Sequence, residues 1–180
     1  IAHKKHLDGF GVVVLAAVTG IGGGTLRDII LDEPVFWLHD PSYFIAIFSA
    51  VLISIIVLNQ QKQIPSKFLQ VADAFGLALF AVMGTQKAMS IGMPATTSVI
   101  MGVLTGCFGG VIRDVLAGDI PLLLKGQLYA ITCILGGIVY TQMIVLNFAV
   151  EISMLFAMLT TLVVRLLAMR YNWEIHVFKY

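Results

Sequence analysis

Charge is the scarcest commodity in this sequence. Asp, Glu, Lys and Arg make up 12% of its 180 residues against 59% hydrophobic, and the net charge is +1. So even a balance, with no basic helix or aromatic-interleaved basic patch, argues against a nucleic-acid partner. The two cysteines, Cys107 and Cys133, both fall inside apolar stretches, form no CxxC or Cys/His spacing and define no disulfide framework. The four histidines, His3, His6, His39 and His176, are scattered over terminal and loop positions, and no metal site is expected. GxSxG, HExxH and Walker patterns are all missing, so neither an enzyme nor a cofactor is expected.

What is present is apolar surface in excess of what one soluble core can hide: the mean hydropathy is +0.96. Uncharged runs extend over 18 residues from Gly9 to Leu26, 20 from Ser42 to Gln61, 25 from Ala88 to Ile112 and 25 from Gly126 to Val150. Two more are interrupted by Lys87 and by Arg165. Membrane strands need only about 10 residues and alternate in polarity, so runs this long, apolar on every face, predict helices. Six spans are expected, near Phe10 to Ile30, Tyr43 to Leu58, Phe68 to Ala88, Ala95 to Leu116, Leu122 to Tyr140 and Phe148 to Met169. Between them lie turn-forming stretches such as Asp32-Glu33-Pro34, Asp40-Pro41, the polar run Asn59 to Lys67, Gly92-Met-Pro94 and Gly118-Asp-Ile-Pro121.

The chain is an internal duplication. Gly20, Gly23, Gly24, Arg27 and Asp28 return 86 residues later as Gly106, Gly109, Gly110, Arg113 and Asp114. One extra residue in the second copy is expected to bring Pro34 onto Pro121. Three crossings separate the copies, and an odd number reverses direction, so the two glycine-bearing helices should be antiparallel, as in an inverted-topology repeat. The expected fold is an all-α membrane bundle: repeat 1 over residues 1–66, repeat 2 over 67–144, and a final transmembrane helix and tail over 145–180. Applying the offset backwards leaves the third span without a counterpart, so a further helix ahead of Ile1 is expected.

Laying the crossings alternately places nine Lys and Arg residues on one side and only Arg27 and Lys87 on the other. By the positive-inside rule both termini of this chain face the cytoplasm and Asp28, Asp32, Glu33 and Asp40 lie outside.

Five glycines are the first candidates for a pathway: Gly22, Gly23, Gly24, Gly109 and Gly110. Clustered glycine either interrupts a membrane helix, exposing carbonyls that can replace a cation's hydration shell, or permits close helix packing. Gly102, Gly106, Gly136 and Gly137 read as packing glycines. The pairs Arg27-Asp28 and Arg113-Asp114 follow the glycines by a turn, either as helix-end ion pairs that fix register or as vestibule charges. Lys87 ends an apolar stretch on the side poor in basic residues; it either snorkels to the interface or faces a pore. Asp73, about 21 Å from Lys87 along one helix, is out of its reach and is the one candidate for an ion-coupling acid. Glu151 and Arg165 read as interfacial.

Gly20 to Asp28, Glu33-Pro34-Val-Phe-Trp37, Asp73-Ala-Phe-Gly76 and Gly109-Gly110-Val-Ile-Arg113-Asp114 with Pro121 together resemble the prokaryotic trimeric intracellular cation (TRIC) channel family, whose bacterial branch also carries a glycine transporter label. The resemblance covers essentially the whole chain. It implies seven helices, two inverted three-helix repeats plus a last helix, assembled as a homotrimer with one pore per protomer, in a bacterial inner membrane among membrane lipids. It implies passive conduction of monovalent cations, chiefly potassium, with kinks at Gly22 to Gly24 and Gly109 to Gly110 forming the constriction and Lys87 as a gating or pore-lining charge. A secondary transporter of a small solute such as glycine is the alternative, since inverted repeats also underlie alternating access.

Overall fold

The computed structural model describes residues 8–59, 66–125 and 128–173. Among them every regular element is helical: α1 (Gly9–Ile30), α2 (Ser42–Asn59), α3 (Ser66–Ser90), α4 (Ala95–Leu116), α5 (Ala130–Val145) and α6 (Val150–Arg170), with 3-10 turns at Phe36–Leu38 and Leu122–Leu124. The six expected helices are therefore present. The polar run between α2 and α3, with Lys62, and the terminal His3, Lys4, Lys5, His6, His176 and Lys179 lie outside the described residues.

Local chemistry sets the boundaries. Asp8 caps α1 by accepting the Gly11 N–H at 2.7 Å. Gly92, with φ of 85°, turns the chain between α3 and α4 just ahead of Pro94. Asn147, with φ of 60°, makes the sharp turn between α5 and α6; the polar Thr141 and Gln142 continue α5. Four helices, α1, α3, α4 and α6, are long and apolar enough to cross a membrane. α2 and α5 are apolar but shorter.

The fifth span differs from expectation. Leu122 does not open a helix running to Tyr140; residues 122–124 form a 3-10 turn and α5 starts only at Ala130. The cause is Asp114, whose Oδ2 accepts the Leu122 N–H at 3.2 Å and pins the chain to the end of α4. The same device recurs at the end of α1, where Asp28 Oδ2 accepts the Phe36 N–H at 3.0 Å.

Indeed the two copies agree at a constant offset of 86 through the whole loop. Leu31 and Ala117 cap their helices alike, Asp32 and Gly118 both take positive φ, and the 3-10 turns begin at Phe36 and Leu122. Pro121 is thus the counterpart of Val35, and the expected extra residue is absent: the prolines were a false anchor.

α4 is the central helix, packed against α1, α3 and α5; α6 covers α3 and α5, and α2 rests on α1. Two small cores tie this together, one around Leu77, Ala81, Cys107, Tyr129 and Cys133, the other around Val82, Tyr140 and Ala157. Large apolar side chains such as Phe48, Leu52, Phe75, Leu155 and Leu159 are exposed, which in this setting is the face presented to lipid.

Candidate functional site

Helical hydrogen bonding runs unbroken through both glycine clusters, so the unwound backbone expected there is not formed. What these glycines do is bring α1 and α4 together. A methyl group on Gly23 would run into the Thr105 carbonyl oxygen, and one on Gly109 into the Thr19 carbonyl oxygen. Thr19 and Thr105 are themselves 86 residues apart, so the two contacts are reciprocal. The partner number falls along one helix as it rises along the other, which makes α1 and α4 antiparallel, as the alternation of crossings requires. Gly22 sits in the same seam: a methyl group on it would stand 3.8 Å from the Gly109 Cα. Gly24 instead leaves room for the Phe36 ring, 2.6 Å from where its Cβ would stand. Gly110 is roomier, with Arg113 and Tyr129 at 3.7 Å. Gly102, Gly106 and Gly136 are packing glycines: the first two receive α3 at Ala81, Thr85 and Leu77, the third receives α6 at Ala157 and Thr161.

Beside this seam lies a cavity of about 920 Å³ walled by α1, α2, α3 and α4. Of the sequence-predicted residues, Gly24, Arg27, Asp73, Lys87 and Arg113 line it. Its wall holds repeat-related pairs, Thr19 with Thr105, Arg27 with Arg113 and Phe36 with Leu122, the members of the last two at opposite ends. Thr19 and Thr105, which both line the cavity, donate their hydroxyl protons to the Leu15 and Met101 carbonyls, at 2.5 and 2.7 Å, and the Thr105 hydroxyl packs against Gly84 of α3. Sequence reading passed over these threonines although the 86-residue offset marked them.

At the end formed by the C-terminus of α1, Arg27 holds Asp28 through Nε at 2.8 Å and a terminal nitrogen at 2.7 Å, with both side chains buried. Phe36 packs near the guanidinium at 5.9 Å, and Trp37 anchors the turn by donating to Thr25 at 2.9 Å. Lys87 meets Glu33 at 3.0 Å, so it is a paired cation at the cavity mouth. Nearby, hydrogen bonds from the Ser42 side chain and backbone N–H hold the Asp40 carboxyl below the usual carboxylate range, keeping this surface anionic.

The opposite end repeats the motif with different surroundings. Arg113 binds Asp114 through Nε and a terminal nitrogen, both at 2.9 Å, and its other nitrogen reaches only to 4.0 Å from Asp73. Arg165, expected at the interface, is instead buried at 2% exposure with its guanidinium 4.8 Å over the Tyr129 ring.

The helices, the cavity and its paired charges define an integral membrane protein with the fold of TRIC cation channels. A solved structure describing conductance through TRIC cation channels superposes with a TM-score of 0.91 at 35% identity, covering 99% of this chain and 88% of that one. The TRIC trimeric intracellular cation channel orthologue from Rhodobacter sphaeroides gives 0.88 at 32% identity, covering 96% of this chain and 89% of that one. The inner membrane protein YadS of Escherichia coli strain K12 is 41% identical over 180 residues, 99% of this chain and 87% of YadS. The chain belongs to the family described as Glycine transporter, whose model matches residues 1–59 and 70–145, and the resemblance to the TRIC family is borne out.

Proposed function

We propose that this chain is a channel for monovalent cations, chiefly potassium, in a bacterial inner membrane, with one pathway in each protomer of a homotrimer and the termini on the cytoplasmic side. The observation that carries the reading is the cavity wall, to which Thr19 and Thr105 contribute from the two repeats and where Arg27 and Arg113 are each committed to a neighbouring aspartate. Neutralised arginines do not repel a passing cation, and hydroxyl oxygens suit a hard, weakly held one. Residues 1–66 and 67–144 act as inverted repeats and 145–180 as the closing helix. Gly22 to Gly24 and Gly109 to Gly110 set the constriction by letting α1 and α4 approach, not by unwinding them. Lys87 and Glu33 form the outer gate pair, and Arg27, Asp28, Arg113 and Asp114 fix the ends of the pathway. The similarity to TRIC cation channels supports the activity.

A second reading, a transporter of a small amino acid, draws on Asp73 and Arg113, an acid and a guanidinium 4.0 Å apart on one cavity wall, spaced to take an ammonium and a carboxylate. Purified protein in planar bilayers under a potassium chloride gradient separates the two. Currents reversing near the potassium equilibrium potential support the channel. Silent bilayers, with glycine uptake that saturates, support the transporter.

A further inference from the structure

The polar side chains in the cavity wall differ in what they are bound to. Arg27 is held by Asp28, Arg113 by Asp114 and Lys87 by Glu33, and the hydroxyl protons of Thr19 and Thr105 go to backbone carbonyls. Asp73 stands 4.0 Å from Arg113. The others are Tyr43 on α2 and two glutamines, Gln70 and Gln86, both on α3; among the described residues none of these three makes a side-chain hydrogen bond or an ion pair.

The two glutamines differ in burial. Gln70 is exposed near the start of α3, where water satisfies its carboxamide, whereas Gln86 is half-buried near the end of the same helix. Its neighbours fix which way this turn of α3 faces. Thr85 is fully buried with its hydroxyl against Gly102 of α4, and Ala88 is fully buried too. Met83, Gln86 and Lys87 lie on the face turned to the cavity. A carboxamide offers two donor protons and an acceptor oxygen, and leaving such groups unpaired in a buried place costs about 1–3 kcal/mol. No described side chain meets that demand, so it falls to whatever occupies the cavity.

We propose that Gln86 is a specificity-determining residue of the pathway, its carboxamide oxygen replacing one water in the shell of a monovalent cation at the end formed by the C-terminus of α1. This rests on the cation-conducting reading above. The positive charge next to Gln86, on Lys87, is already balanced by Glu33, so it does not drive a cation away from the amide oxygen. A neutral oxygen also binds weakly enough to let the ion leave, which conduction requires. Asp73 lies 13 residues earlier, about 20 Å along the helix axis, so α3 brings an oxygen-bearing side chain to each end of the cavity.

The test is single-channel recording of the reconstituted full chain over a series of potassium chloride concentrations, then with sodium in place of potassium. Gln86→Leu keeps the bulk and removes the oxygen; it should lower conductance at low potassium by roughly three- to tenfold, the worth of one hydrogen-bond-strength contact, and shift the potassium-to-sodium ratio. Gln86→Glu should raise conductance at low salt, with the gain fading as salt screens the added charge. Both variants should unfold at the wild-type temperature, because Gln86 bonds to no other side chain. A Gln86→Leu protein that conducts like the wild type at every concentration, or that loses thermal stability while conducting normally, would overturn the proposal, the second outcome making Gln86 a packing residue. A silent wild type sinks the channel reading and this proposal with it; a conducting wild type with an unaltered Gln86→Leu sinks this proposal alone.

Discussion

The two ends of the cavity are built from the same nine-residue motif and are held to different standards. At the end formed by the C-terminus of α1, Arg27 and Asp28 have side-chain exposures of 8% and 0%, Phe36 lies across the guanidinium, and the additional acid, Glu33, is in contact with Lys87. At the end formed by the C-terminus of α4, Arg113 is 19% exposed, Leu122 replaces the aromatic ring, and the additional acid, Asp73, is 4.0 Å from a guanidinium nitrogen of Arg113. Duplication supplied identical hydrogen bonds from Asp28 and Asp114 to the returning chain. What diverged is the set of partners supplied by α3 and α6. At the α1 end the additional acid is in a contact pair; at the α4 end the additional acid, Asp73, keeps 23% of its side chain exposed.

The sharpest way to break that comparison is to remove the buried aspartates. Asp28→Ala leaves Arg27 buried beside an unsatisfied Phe36 N–H and should cost about 3–5 kcal/mol. Asp114→Ala should cost less, because the more exposed Arg113 can turn to Asp73. Denaturant unfolding in detergent ranks the two, and equal losses would mean the ends are equivalent after all.

The seam between the ends should behave symmetrically. Gly23→Ala and Gly109→Ala each push a methyl group into a facing carbonyl and should cost about 1–3 kcal/mol by overpacking, to a similar extent. Gly110→Ala, with neighbours at 3.7 Å, should stay within about 0.5 kcal/mol of the parent. If Gly110→Ala proved as damaging as Gly109→Ala in the same unfolding assay, close approach would not be what distinguishes these glycines.

The smallest effect is expected at the exposed pair of Lys87 and Glu33. Lys87 and Glu33 are 36% and 30% exposed, so Lys87→Ala should change stability by no more than about 1 kcal/mol. It should nevertheless raise potassium conductance at low ionic strength by freeing Glu33, with the gain fading as salt screens the charge. An unchanged conductance across salt concentrations would remove Lys87 from the pathway.

Much of this was legible beforehand. The helices were visible as uncharged runs because lipid rewards apolar residues on every face, and the antiparallel relation of α1 and α4 follows from counting crossings. The fifth span was misplaced because Leu122 to Leu124 are as apolar as a helix start; only the hydrogen bond from Leu122 to Asp114 makes them a turn. Holding the offset of 86 strictly, with Val35 opposite Pro121, aligns Leu122 with Phe36 in the loop that follows α1 rather than with a helix start. Arg165 looked interfacial because it lies near the end of α6, and its burial depends on Tyr129, which belongs to another element. The pairing of Lys87 with Glu33 spans 54 residues and leaves no local trace. Glycine clusters carry the least information of all: the same residues permit a break or a close crossing, and it is the carbonyls of Thr19 and Thr105 opposite them that decide for a crossing.

The central claim is that the cavity between the repeats conducts cations passively. The direct measurement is potassium efflux from liposomes containing the purified full-length protein, with no other solute gradient and then with a glycine gradient imposed. The account predicts rapid efflux on the potassium gradient alone, unaffected by glycine and diminished in Asp73→Asn. Negligible potassium efflux together with saturable, ion-coupled glycine uptake would contradict it.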